Sequence, residues 1–303
     1  MQANGAMRGF GILACCKKII NMATVNMNFR SDMVRIMRDE MSEMGFKTKN
    51  VSDEHELMMY YFTINKRLVK KTPRTVHESQ GLIIPPHRKD GYILLKEKFQ
   101  RGESIIPHLS KQILGYKFPD KMLFDWDINH FHLGTTIKAD GFVDQHDEIV
   151  YAIVTDRDVY VIDILEHEHW YDISLLEKVL VNWPALLSTF RVDGTPVSKF
   201  SQEEFTSLRN SNINIMLTLS DGHGYLGRGL GVTTAGTSAD AVMQANRMIH
   251  DLQAMERWCN NQLLPLSEQY TFKLSLTRIG NGIYISDPQM GVLHQVFDFP
   301  SLK

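Results

Sequence analysis

Apolar residues recur every three to four positions through 30–44, where Met33, Ile36, Met37, Met41 and Met44 share a face and charges fill the gaps. That spacing predicts an amphipathic helix seated on a core. Residues 54–63 form another apolar stretch, either a short helix or a strand. After the Pro85-Pro86 turn, 91–99 and 105–114 predict two short helices, the second ended by Gly115. The period then changes. Residues 149–155 and 159–165 are strand-like runs around the compact polar turn Asp156-Arg157-Asp158, and the segment from Ile128 supplies a strand before them. A helix over 172–183 follows, stopped by Pro184. Residues 213–219 and a glycine-rich run to Gly236 lead into a long helix over 239–263, with Val242, Ala245, Ile249, Leu252 and Met255 on one face. Thr237 or Ser238 would cap it, and Asp240 suits its dipole. Finally, 271–277 and 283–286 flank Asn281-Gly282, a strong hairpin signal.

The pattern is α+β: a central antiparallel sheet flanked by helices, with a further C-terminal helix and β-hairpin. In chain order it divides into a poorly ordered lead over 1–26, a basic helical region over 27–120, a histidine-bearing β unit over 121–190 and a C-terminal α+β region over 191–303. The lead carries the apolar run 9–14 and an Ile-Leu-Ala-Cys that faintly resembles a lipoprotein cleavage site. The run is about half the length a signal peptide needs, and Lys17 and Lys18 follow at once, so the lead reads as an extension upstream of a start at Met27.

With 43% apolar and 22% charged residues, the chain reads as a folded soluble protein, not a disordered one. No window approaches the roughly 18 apolar residues of a membrane span, so no membrane partner is expected. Three cysteines, two of them adjacent, give neither a disulfide framework nor a Cys-x-x-Cys motif, and a cytoplasmic location is expected. The net charge of −2 conceals a split: up to residue 121 there are 21 Lys and Arg against 12 Asp and Glu, and afterwards 12 against 23. Two readings fit. The basic part faces a polyanion, or the two parts of the chain attract each other.

The chemistry concentrates in His130, His132, His167 and His169. Residues at i and i+2 on a strand share a face, so two such pairs on neighbouring strands can converge. Imidazole transfers protons near neutral pH and is also the commonest metal ligand. Three readings follow. The histidines are general acids and bases; or, with Asp163, they ligate zinc or iron, although no His-Glu-x-x-His helix is present; or they are sheet residues bonded to Asp125, Asp127 or Asp163. Upstream, 65–74 holds Lys66, Arg67, Lys70, Lys71 and Arg74 with no acid, and Pro73 argues for a loop able to meet phosphates. Gly222-His-Gly-Tyr-Leu-Gly227 has the letters of a dinucleotide fingerprint, but no helix follows it; a tight hairpin at Asp221-Gly222 and a bulged strand account for its glycines.

The run 149–169 resembles the C-terminal hairpin of RelE/ParE-like toxins, which include bacterial ribonucleases: an apolar strand, a short acidic turn, and a second strand ending in a histidine or other basic residue. Glu148 stands where those proteins carry an arginine. His130, His132 and Gly134, with a downstream strand ending in His167 and Trp170, also resemble a group of uncharacterised bacterial proteins tied to phages and mobile elements, a likeness that brings no activity with it. Together these imply an RNA-acting toxin or anti-phage effector. It would be a metal-independent endoribonuclease needing no cofactor, with a protein antitoxin or phage protein as partner, and homo-oligomers are in keeping. His130, His132, His167 and His169 would act as acid and base. Tyr151 and Arg157 would support them, and Trp170 and Tyr171 would stack on bases. A metal-dependent hydrolase and a non-enzymatic phage-sensing or toxin-neutralising protein remain the alternatives.

Overall fold

Side-chain caps decide where the helices start. In the computed structural model, which describes residues 25–115, 118–167, 171–194, 200–264, 270–299 and 302, strand β1 (Val25–Asn26) leads to Asn28. Asn28 accepts from the Ser31 amide and opens α1 (Phe29–Glu43), and Asp53 accepts from Glu56 to open α2 (Glu54–Arg67). The stretch from 54 is thus a helix, and it runs far enough to carry Lys66 and Arg67 out of the expected loop. β2 (Thr75–Glu78) and α3 (Lys89–Arg101) follow. The helix expected over 105–114 is instead two short 3₁₀ turns, Ile106–His108 and Lys111–Leu114, since Pro107 interrupts the backbone ladder.

Next come α4 (Lys121–Trp126), β3 (Ile128–His132), β4 (Glu148–Val154), β5 (Asp158–Glu166), α5 (Ile173–Asn182), α6 (Ala185–Ser188), β6 (Arg191–Val192), α7 (Gln202–Asn210), β7 (Leu217–Thr218) and β8 (Gly224–Tyr225). The last segment holds α8 (Ala239–Leu263), capped by Ser238, then β9 (Phe272–Lys273), β10 (Ser275–Ile279), β11 (Gly282–Asp287) and β12 (Gly291–Asp298). The hairpin at Asn281-Gly282 forms, and β12 extends it to three strands. Among the described residues no helix is long and apolar enough to cross a membrane.

The fold is mixed α+β, but its strands form several sheets and not one central antiparallel sheet. The largest has the order β2-β5-β4-β3, with β3, β4 and β5 antiparallel and β2 running parallel to β5. One face packs Ile149, Tyr151, Ile153 and Ile162 against α5, α6 and α7; the other packs Phe131, Val150, Ala152 and Val161 against α3. A separate core joins α1, α2 and α8 to β10 and β11, so the first and last described segments meet in space. β1 pairs with β9, which takes Val25 and Asn26 of the expected lead into the fold; the rest of that lead lies outside the described residues.

The charge split is partly spent internally. Lys66 lies 3.5 Å from both Asp127 and Asp240, Arg88 2.9 Å from Glu148, and Lys111 pairs with Asp140. Basic residues of the first part thus meet acids of the second, which favours mutual attraction as the use of these charges.

The glycine-rich run is neither a nucleotide loop nor a bulged strand. The hairpin at Asp221-Gly222 forms between β7 and β8. Beyond it the backbone lies across α4, with Gly229 N–H donating to Asp125 O (2.9 Å) and Gly231 N–H to Phe124 O (2.8 Å). A Cβ on Gly229 would stand 2.3 Å from Phe124 O, so only glycine permits this approach. The strap satisfies the terminal carbonyls of α4, the helix that delivers the chain into β3.

Candidate functional site

Three features of the sheet bring histidines together. β3 and β5 both pair antiparallel with β4, so their C-terminal ends lie at the same end of the sheet with β4 between them. On β3, Ile128, His130 and His132 point to the α5 face, while Phe131 turns into the α3 core. On β5, a register shift opposite Tyr151/Ala152 puts Ile162 and Asp163 in succession on the α5 side. This bulge reverses the alternation beyond it, so Leu165 and then His167 fall on the face of His130 and His132. Without it His167 would face the other core. The ring of His167 lies 5.2 Å from that of His132 and 6.1 Å from that of His130. The end of β3 is clamped from outside by α3: Gly91 sits so close that a Cβ there would stand 1.7 Å from Leu133 O.

Burial sets the protonation of the cluster. His132 is 1% exposed, and burial, followed by its histidine neighbours, pushes its pKa down to about 3. Neither of its ring nitrogens has a hydrogen-bond partner. Burial also lowers His130, against the pull of Asp120, whose Oδ2 lies 3.6 Å from His130 Nδ1. His167 is half-buried and is the member of the three nearest solvent. A fourth imidazole, His108, stands behind β3. Its Nδ1 donates to His132 O at 2.9 Å, which leaves Nε2 bare, buried and without a partner. Both histidines are therefore neutral at pH 7, with lone pairs to offer.

The carboxylates named in the sequence do not serve these histidines. Asp125 is bound in two places by Arg209, Asp127 lies by Lys66 and Arg228, and Asp163 pairs with Lys178 and accepts from the Ile164 amide. The acid beside His130 is Asp120, which also caps α4 through the Leu123 amide. Among the described residues no group of three or more His, Cys, Asp or Glu is placed to hold a metal ion. His169 and Trp170 lie outside the described residues.

The cations divide. Arg67 and Arg74 are 4% and 7% exposed. Arg74 donates to the carbonyls of Thr155, Lys70 and Thr72, so it ties the loop to the β4–β5 turn. Lys66 is held by its two aspartates. Lys70, Lys71 and Arg157 are exposed, but they cluster at that turn, about 17 Å along β4 from His132 (five residues at roughly 3.3 Å each). The structure therefore separates these three from the histidines; only Arg67 lies beside them, next to His130. Tyr151 is fully buried and its hydroxyl donates to Glu166 O at 3.3 Å, bracing the end of β5. Tyr171 packs edge-on against Phe205, rings 6.1 Å apart, so that face is taken by the core.

His108, Asp120 and the special position of Arg67 escape sequence reasoning, because each reaches the site from a turn or helix end with no periodic mark. No family model, curated protein or solved structure matches this chain.

Proposed function

We propose that the chain is an RNA-acting toxin or anti-phage effector, a metal-independent endoribonuclease that works in the cytoplasm with a RelE-like central hairpin. One observation carries the reading: the rings of His130, His132 and His167 gather at one end of the sheet, 5.2 and 6.1 Å apart. Imidazoles at this spacing can serve the two proton transfers of RNA cleavage. His130 or His132, neutral by burial, takes the proton of the 2′-hydroxyl. The 2′-oxygen attacks phosphorus, the P–O5′ bond breaks, and protonated His167 gives its proton to the 5′-oxygen. The products are a 2′,3′-cyclic phosphate and a 5′-hydroxyl. Solvent then takes the proton from the base and returns one to His167. An imidazole held near pKa 3 is a weak base, but an arriving phosphate anion raises it by the same electrostatics through which its histidine neighbours lower it. A protein antitoxin or phage protein is the partner class that such an enzyme requires.

Expression of the intact chain should slow bacterial growth, and His130→Ala with His167→Ala should relieve the effect. Unchanged toxicity in the double variant, or none from the parent, removes the proposal. A stoichiometric metal in the purified protein, lost in His132→Ala, would replace proton transfer with metal-dependent hydrolysis. A phenotype that survives replacement of every histidine in the cluster would make this a binding protein.

A further inference from the structure

Arg67 is the one cation of the basic segment that reaches the histidine end, and it arrives unusually. Its guanidinium lies beneath the surface, with its central carbon 5.8 Å from the ring centre of Phe118 and 5.6 Å from that of Phe124. These π-faces offset part of the cost of burying the charge. Nη1 donates to Gly115 O at 3.2 Å. Nε and Nη2 are buried with no acceptor. Buried donors are seldom left so.

The Arg67 side chain also lines a cavity of ≈ 20 Å³, together with Ser110, Asp120, Asn129 and His130 and the apolar Leu109, Ile113, Phe118 and Leu123. The volume admits one oxygen-sized group. Asp120 does not satisfy Arg67: one of its oxygens takes the Leu123 amide, and the other is turned towards His130. His130 thus has near it both a cation with unpaired donors and, 6.1 Å away ring to ring, His167.

We propose that Arg67 and the wall beside His130 form a pocket for a single oxyanion oxygen, that of the scissile phosphate, which rests on the ribonuclease reading above. The fork formed by Nε and Nη2 suits an oxyanion better than a lysine ammonium would, because its two N–H groups are aligned. In the reaction it meets the charge that grows on the non-bridging oxygen as the 2′-oxygen attacks. Arg67 would then be a catalytic residue, while Lys70, Lys71 and Arg157 would touch only distant backbone.

The test titrates inorganic phosphate into the full chain while following the Arg67 Nε–Hε cross-peak by ¹⁵N–¹H NMR, assigned by its loss in Arg67→Lys. A saturable shift is expected. In RNA cleavage, Arg67→Lys should lose about 10²-fold in kcat, the scale of one lost oxyanion donor, with KM changed far less. A cross-peak unmoved by phosphate overturns the pocket, even if His130→Ala and His167→Ala abolish cleavage. A saturable shift in a protein whose histidine variants cleave RNA normally keeps the pocket as an anion site and removes the ribonuclease reading. Should Arg67→Lys fail to fold, the cross-peak is assigned in the unmodified chain by through-bond side-chain correlation and by its contacts to the Phe118 and Phe124 rings, and the titration still decides.

Discussion

The two ends of the four-stranded sheet use charge and burial in opposite ways. At the β4–β5 turn, Lys70, Lys71 and Arg157 face water, and Arg74 spends its donors on carbonyls that hold the loop in place. At the far end three imidazoles and one guanidinium are drawn inward, and His132, His108 and Arg67 keep polar atoms without partners. A solvated cation costs little and specifies little. A buried polar atom without a partner costs roughly 1–3 kcal/mol, so a fold that keeps several in one place is holding a site in readiness. The dense run of basic residues in the sequence marks the less informative end.

Substitutions at the two ends should separate them. The largest effect is expected from Phe131→Ala, which removes a fully buried ring between α3 and the sheet, directly beneath the histidine strand. A loss of about 3–5 kcal/mol in urea unfolding follows from the cavity left behind. A loss under 1 kcal/mol would mean that the α3 face does not hold β3.

Next comes pH. The folded pKa of His132 is about 3, below its unfolded value near 6.5, so between these limits the unfolded chain binds a proton that the folded chain refuses. Stability is therefore full above pH ~6.5 and falls as the pH drops towards 3, with His130 and His108 acting in the same sense. Comparing the parent with His132→Phe at pH 7 and pH 4.5 should show roughly 2 kcal/mol less acid sensitivity in the variant. Equal sensitivity would contradict the buried neutral state.

Asp163→Ala comes third. It strips Lys178 of its partner and the Ile164 amide of its acceptor at the bulge that orients His167. About 1–2 kcal/mol is expected, together with a fall in RNA cleavage that Lys178→Met reproduces. Cleavage unchanged in a destabilised protein would show that the bulge does not aim His167.

The smallest effect belongs to the turn. Lys70→Ala, Lys71→Ala and Arg157→Ala together should cost under about 0.5 kcal/mol each. They should also flatten the dependence of RNA affinity on salt while leaving kcat alone. A collapse of kcat would place the chemistry at the wrong end of the sheet.

Much of the scaffold was legible because it depends on local chemistry. Ser238 and Asp240 announce the start of α8, and Asn281-Gly282 announces a hairpin. The i, i+2 spacing of His130 and His132 already placed both on one face. What stayed hidden depends on contacts distant in sequence. β2 is four residues pairing parallel to β5 and carries no alternation of its own. The bulge at Ile162 and Asp163 looks like ordinary strand until its partner register is known. Gly91 read as the start of a short helix and Gly229 as one residue of a glycine-rich run, yet each is there to let another backbone approach. Arg67 read as one basic loop residue among five; only the aromatic rings of Phe118 and Phe124 and the cavity by His130 set it apart.

The most direct test incubates the purified chain with end-labelled RNA in excess chelator and compares it with His130→Ala/His167→Ala. The account predicts fragments ending in 2′,3′-cyclic phosphate from the parent and at least a 10²-fold slower reaction in the variant, the usual share of positioned acid–base catalysis. Intact RNA from the parent, or equal cleavage by both proteins, would contradict it.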